Sequence, residues 1–137
     1  MRNSKAKRAW KQWVLAGVAA TATGILVLFL AVSWLIGSSV HKMCRDATGE
    51  YGGDRVSALM KYADSPAHSL RDRNRAVWAL GNLGDSRAVP WLKKRYTGQP
   101  CDHDHMLCQK ELKQAIHLCQ GGVNLPALVW RRGSSAK

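Results

Sequence analysis

The segment Arg75-Ala76-Val77-Trp78-Ala79-Leu80-Gly81-Asn82-Leu83-Gly84-Asp85-Ser86-Arg87-Ala88-Val89-Pro90-Trp91-Leu92 reads as a helix, a tight turn and a second helix. Ala76, Val77, Ala79, Leu80 and Leu83 share one face of a helix running from Arg71 to Leu83. Gly84-Asp85-Ser86 breaks it, and Asp85 or Ser86 stands where the next helix wants an N-cap oxygen. Ala88 to Tyr96 follows, with Val89, Trp91, Leu92 and Tyr96 apolar. Pro90 is harmless there, because the first turn of a helix leaves its N–H groups unbonded.

Working outward, the same unit recurs. Val56-Ser57-Ala58-Leu59, Val89-Pro90-Trp91-Leu92 and Leu125-Pro126-Ala127-Leu128 share a pattern at offsets of 33 and 36 residues. Ala79-Leu80-Gly81-Asn82-Leu83 matches Ala115-Ile116-His117-Leu118-Cys119 at the same offset of 36. Arg55 to Ala63 carries a helical apolar face that Asp64-Ser65-Pro66 ends, and Cys108 to Cys119 carries another that Gly121-Gly122 ends. A last short helix starts at Leu125. Helical hairpins repeating at this period bury their apolar faces only by stacking, which is the mark of an α-solenoid.

The alanine-rich helix ending in Leu83-Gly84-Asp85, followed by Arg87-Ala88-Val89-Pro90 and Leu92, resembles a HEAT repeat of the short bacterial, phycobilisome-lyase-like type. The resemblance is close over residues 73 to 96, degenerate over 51 to 63, and weak over 108 to 131, where Gly121-Gly122 replaces the glycine-aspartate turn. It implies an all-α fold of about two and a half hairpins spanning residues 51–132, with residues 133–137 as a tail. It implies a scaffold for binding, not lyase chemistry, because the repeat serves many unrelated functions.

Upstream, Val14 to Ile36 is a run of 23 residues without a charge. As a helix it reaches roughly 34 Å, enough for the ~30 Å hydrocarbon core of a bilayer. Residues 1–13 hold Arg2, Lys5, Lys7, Arg8 and Lys11 and no acid, which places this arm in the cytoplasm and the C-terminal domain in the periplasm of a single-pass inner-membrane protein. Trp10, Trp13 and Trp34 flank the run as interfacial anchors do. The run exceeds the 7–15 residues of a signal-peptide core, and His41-Lys42-Met43 before Cys44 is no lipobox, so an uncleaved anchor is expected. Gly37-Ser38-Ser39 opens a linker over residues 37–50. Ala16, Gly17, Ala20 and Gly24 form a small-residue stripe on which another helix, including a second copy of this chain, can pack closely.

Cys44, Cys101, Cys108 and Cys119 all follow the anchor, which suggests two disulfides in an oxidising compartment. A Cys108–Cys119 pairing is disfavoured, since one helix would hold them too far apart. A bridge from Cys44 would tie down the first layer of the solenoid. Cys101, His103, His105 and Cys108 offer an alternative metal-binding loop, although their spacing fits none of the common zinc modules. No nucleophile elbow, phosphate loop or paired carboxylates point to an enzyme, and no cofactor is expected.

The repeat register aligns Lys61 with Lys94 and Arg95 with Arg131, so the second helices end in cations, Lys93 among them. The resemblance implies that these helices line a concave face, which gives a basic ridge. Cations at helix C-termini also answer the macrodipole, at ~0.3–1 kcal/mol each. The ridge suits an acidic protein partner, within a larger membrane complex, or anionic lipid. Nucleic acid is not expected on that side of the membrane.

Overall fold

A computed structural model describes residues 2–102 and 104–131, with side chains from Lys7 onward. Six α-helices follow in order: α1 (Arg2–Tyr51), α2 (Arg55–Asp64), α3 (Leu70–Leu83), α4 (Val89–Arg95), α5 (Gln109–Cys119) and α6 (Leu125–Arg131). No strand occurs among the described residues, so the fold is all-α.

Local chemistry sets the helix ends. Asp54 starts α2 by accepting the N–H groups of Val56 and Ser57 through its carboxylate. Ser69 starts α3: its hydroxyl oxygen accepts the Asp72 N–H at 3.2 Å and its O–H donates to the Asp72 carboxylate at 2.7 Å. Gly84, at φ +64°, closes α3 in the left-handed conformation that side chains avoid. Asp85 then caps a short 3-10 turn, Ser86–Ala88, which runs directly into α4.

The centre of the domain is α3, packed against α1, α2 and α5. Leu59, Leu80, Leu92, Leu112, Val40 and Val77 are fully buried around it. At Gly81 the backbones of α3 and α5 meet closely: a Cβ there would lie 2.9 Å from Ala115 Cα. A glycine in mid-helix is thus a packing requirement, which offsets its poor helix propensity.

The expected linker is absent. Residues 37–50 are helical, and α1 runs unbroken from the apolar run into the domain, where Val40, Met43, Cys44 and Ala47 join the core. The helix stops only at Gly52 and Gly53, with φ of +64° and +78°. Gly37-Ser38-Ser39 does not break it, for two reasons. The Ser38 hydroxyl donates back to the Leu35 carbonyl at 2.9 Å, and Gly37 lies beneath Trp130, whose Cγ would be 2.7 Å from a Cβ at that position. At about 1.5 Å per residue, α1 is a rod of roughly 75 Å.

The last hairpin also departs from simple stacking. After the Gly121-Gly122 turn, α6 crosses back and packs on α1 and α3. The ring of Trp130 meets His41 edge-on, with centroids 5.7 Å apart. Asn124 donates to the Asn82 side-chain oxygen at 3.0 Å, which ties the start of α6 to the end of α3.

Candidate functional site

The five basic residues expected on one ridge divide into two groups. Lys61, Lys93 and Lys94 are exposed at the ends of α2 and α4. Arg95 is committed within the domain: its guanidinium grips the Asp64 carboxylate, with Nε at 2.8 Å, and lies 3.9 Å over the Trp91 ring. Trp91 Nε1–H donates to the same carboxylate at 3.0 Å. This cluster locks the end of α2 to α4 and brings Lys61 and the Lys93-Lys94 pair onto neighbouring helix ends.

Arg131 stands apart from that ridge. Its guanidinium donates to the Asn82 carbonyl, with Nε at 2.8 Å, at the C-terminal end of α3 beside Gly84. A cation there meets the negative end of the helix dipole. Removal from water lowers the pKa of this guanidinium from its ordinary value. The sequence register aligns Arg131 with Arg95, but Arg131 sits at the C-terminal end of α3, whereas Arg95 sits on Asp64 at the end of α2.

The loop between α4 and α5 is firmly held. The Gln109 side chain, 5 % exposed, accepts the Thr97 N–H at 2.8 Å and donates to the Leu107 carbonyl at 3.1 Å. Asn74 of α3 accepts the Cys108 N–H at 2.8 Å. Between these anchors the sulfurs of Cys101 and Cys108 stand 3.2 Å apart. The Lys110 N–H donates to Cys101 Sγ at 3.4 Å, so this sulfur occupies the capping place at the start of α5. That N–H, then the hydrogen bond with Cys108, holds the Cys101 thiol below its ordinary pKa, whereas burial pushes that of Cys108 up.

The other two cysteines are buried free thiols. Cys119 ends α5, at the far end of that helix from Cys108, and donates to the Leu80 carbonyl at 3.4 Å. Burial pushes its pKa up to about 11. Of the alternative metal ligands, His103 lies outside the described residues. His105 is exposed and its Nδ1 is 3.0 Å from the Asp102 carboxylate. Among the described residues no three His, Cys, Asp or Glu side chains gather as a metal site.

Residues 72–96, which form α3, the 3-10 turn and α4, match the family model of the PBS lyase HEAT-like repeat. The chain carries a HEAT-like repeat. No curated protein and no solved structure matches the chain. The match covers 25 of the 137 residues, the stretch that holds the Trp91–Arg95 cluster and the exposed Lys93-Lys94 pair. HEAT-like repeats are generally non-catalytic and mediate protein–protein contact.

Two residues of the HEAT-like repeat went unnoticed as organisers in the sequence. Asn82 is 7 % exposed; it donates to the Trp78 carbonyl at 3.0 Å and receives both Asn124 and Arg131 from the last hairpin. Asn74 positions the cysteine loop. For Asn82 the available signal was an asparagine within an apolar helical pattern; Asn74, among charged residues, offered none. The small residues of α1, Ala16, Gly17, Ala20 and Gly24, are all exposed, and a Cβ at Gly17 or Gly24 would meet nothing within 4 Å. Among the described residues, α1 is the one helix long and apolar enough to cross a membrane.

Proposed function

We propose that this chain is a membrane-anchored docking subunit, whose HEAT-like domain presents a basic surface to an acidic protein partner. The observation that carries the reading is the continuity of α1. Every residue from Lys7 to Leu35 is exposed except Ser33, while the same helix supplies core residues from Val40 to Ala47. Exposed side chains such as Ile25, Leu26, Val27 and Leu28 want lipid around them. The polar groups in that stretch suit it too: Thr21 donates to the Gly17 carbonyl, Thr23 to Ala19 and Ser33 to Phe29, each within 2.9 Å.

The basic arm orients the N-terminus to the cytoplasm and the HEAT-like domain to the periplasmic side of an inner membrane. A rod shared by anchor and domain fixes the height and facing of Lys61, Lys93 and Lys94 above the lipid. A flexible tether would leave both free. Fixed presentation lowers the entropy lost when a membrane-bound partner docks. The small-residue stripe at Ala16, Gly17, Ala20 and Gly24 adds an intramembrane face for that complex or for a second copy of the chain.

The test has two arms: alkaline washing of membranes for the anchor, and co-purification in mild detergent from unwashed membranes for the basic surface. The chain is expected to stay in the washed pellet and, from unwashed membranes, to bring down a partner that is released by salt. Reversing Lys61, Lys93 and Lys94 to Glu is expected to deplete the partner at least tenfold while the chain stays in the pellet. Recovery of the wild-type chain in the soluble fraction overturns the anchor. Undiminished partner recovery with the triple variant overturns the basic surface.

A further inference from the structure

We propose that Cys101 and Cys108 form a thiol–disulfide exchange centre, in which Cys101 takes the incoming disulfide and Cys108 resolves it. The inference does not depend on the membrane reading.

Three independent features of the loop support it. First, the two sulfurs already face each other at 3.2 Å, held by Asn74 on one side and Gln109 on the other, so closure to a bond needs little backbone movement. Second, their surroundings differ. Cys101 is partly exposed and accepts an N–H from the first turn of α5, while Cys108 is 7 % exposed beneath it. An accessible sulfur stabilised as thiolate by a helix N-terminus attacks; a shielded sulfur behind it waits to displace. Third, Cys101 opens onto a groove of about 360 Å³ lined by Tyr96, Gln99, Pro100, Lys110 and Lys113. Two lysines beside the attacking sulfur favour a disulfide-bearing peptide with carboxylate groups.

The exchange balances as follows for a peptide disulfide such as oxidised glutathione. The Cys101 thiolate attacks one sulfur, the peptide S–S bond breaks, and the first thiolate leaves and takes a proton. Cys108 then loses its proton and attacks Cys101 Sγ. The mixed disulfide breaks and the second peptide leaves as a thiol. Two electrons and two protons pass from the protein to the peptide disulfide. Cys44 and Cys119 take no part, since both are buried and Cys119 is engaged with the Leu80 carbonyl.

The experiment exposes the full chain in detergent to oxidised glutathione, followed by acid quench, alkylation and peptide mass mapping. The wild type is expected to yield one bond, Cys101–Cys108, with Cys44 and Cys119 alkylated after denaturation. Cys108→Ser is expected to stop at glutathione bound to Cys101. Cys101→Ser is expected to be modified at Cys108 on the order of tenfold more slowly, as its sulfur is both shielded and less ionised. Pairing through Cys44 or Cys119 overturns the proposal, as does a wild type that keeps four thiols. Equal rates for the two serine variants overturn the assignment of roles.

Discussion

The two halves of α1 are one uninterrupted helix in two different surroundings. Ile25 and Leu28 in the lower half are 70 % and 65 % exposed, while Val40 in the upper half is wholly buried. Beyond the basic arm, from Val14 to Val32, the lower half carries no charge on any side. The upper half is apolar along one seam: Ser33, Gly37, Val40, Cys44 and Ala47 are buried at alternating spacings of three and four, with Arg45, Asp46 and Glu50 outside it. On the proposed reading the stretch without a polar face turns to lipid, whereas a seam marks a protein neighbour. The surroundings change at Ile36 and Gly37, where Trp130 of α6 comes alongside, and the helix passes through Gly37-Ser38-Ser39 without a break.

Charge placement breaks this comparison most severely. Val40→Asp puts an unpaired carboxylate into the core at a cost of about 3–5 kcal/mol, a large part of what a domain of this size has. Cooperative urea unfolding, followed by circular dichroism in detergent, is expected to disappear. Leu28→Asp is expected to leave that transition within about 0.5 kcal/mol of wild type. It should instead weaken membrane retention, by about 2.5–3.5 kcal/mol at the centre of a span. If both substitutions damage the domain equally, the two halves do not differ as described.

Glycine sharpens the same contrast at smaller scale. Gly37→Leu drives a side chain into Trp130, whose Cγ and Cβ lie 2.7 and 2.9 Å from where a Cβ would sit. The loss of the α6 seat is expected to lower domain stability by about 1–3 kcal/mol. Gly24→Leu meets nothing within 4 Å and is expected to leave the urea midpoint unchanged. A null effect at Gly37 means that α6 does not rest on α1.

The middle of the chain was legible because its signals are local. The apolar spacings, the glycine turn at Gly84 and the Asp85 cap lie within a few residues of what they control, and α2 to α5 fall where the pattern places them. Continuation of α1 was not legible, because the residues that hold Gly37 in a helix belong to α6, over ninety positions away. Arg131 was misplaced for a similar reason. Alignment transfers a position only if the preceding turn is the same, and Gly121-Gly122 is not Gly84-Asp85. The proximity of Cys101 and Cys108 depends on Asn74 and Gln109, polar residues whose burial no local pattern announces.

The smallest expected effect lies at the hinge between the upper half of α1 and α2. Asp54 follows the glycines that end α1 and caps α2 through the N–H groups of Val56 and Ser57; its carboxylate also accepts the Ser57 hydroxyl at 2.6 Å. That hydroxyl bond first, then the two backbone N–H bonds and the charge of Arg87, outweigh a small desolvation and hold the Asp54 pKa below its ordinary value. A depressed carboxylate contributes stability above its unfolded pKa of about 4 and loses it as pH falls through the lower folded value. The Arg87 ion pair, at 3.3 Å and well exposed, adds little. Asp54→Ala is therefore expected to cost about 1 kcal/mol at neutral pH and to flatten the acid limb of the stability profile. Asp54→Asn keeps a capping oxygen without the charge, so it should retain most of the neutral-pH stability and still flatten that limb. Membrane retention should not change in either variant, because the lower half of α1 takes no part in this cap. Loss of retention on changing Asp54 would mean that the lower half of α1 and the helical domain are coupled more tightly than one shared rod requires.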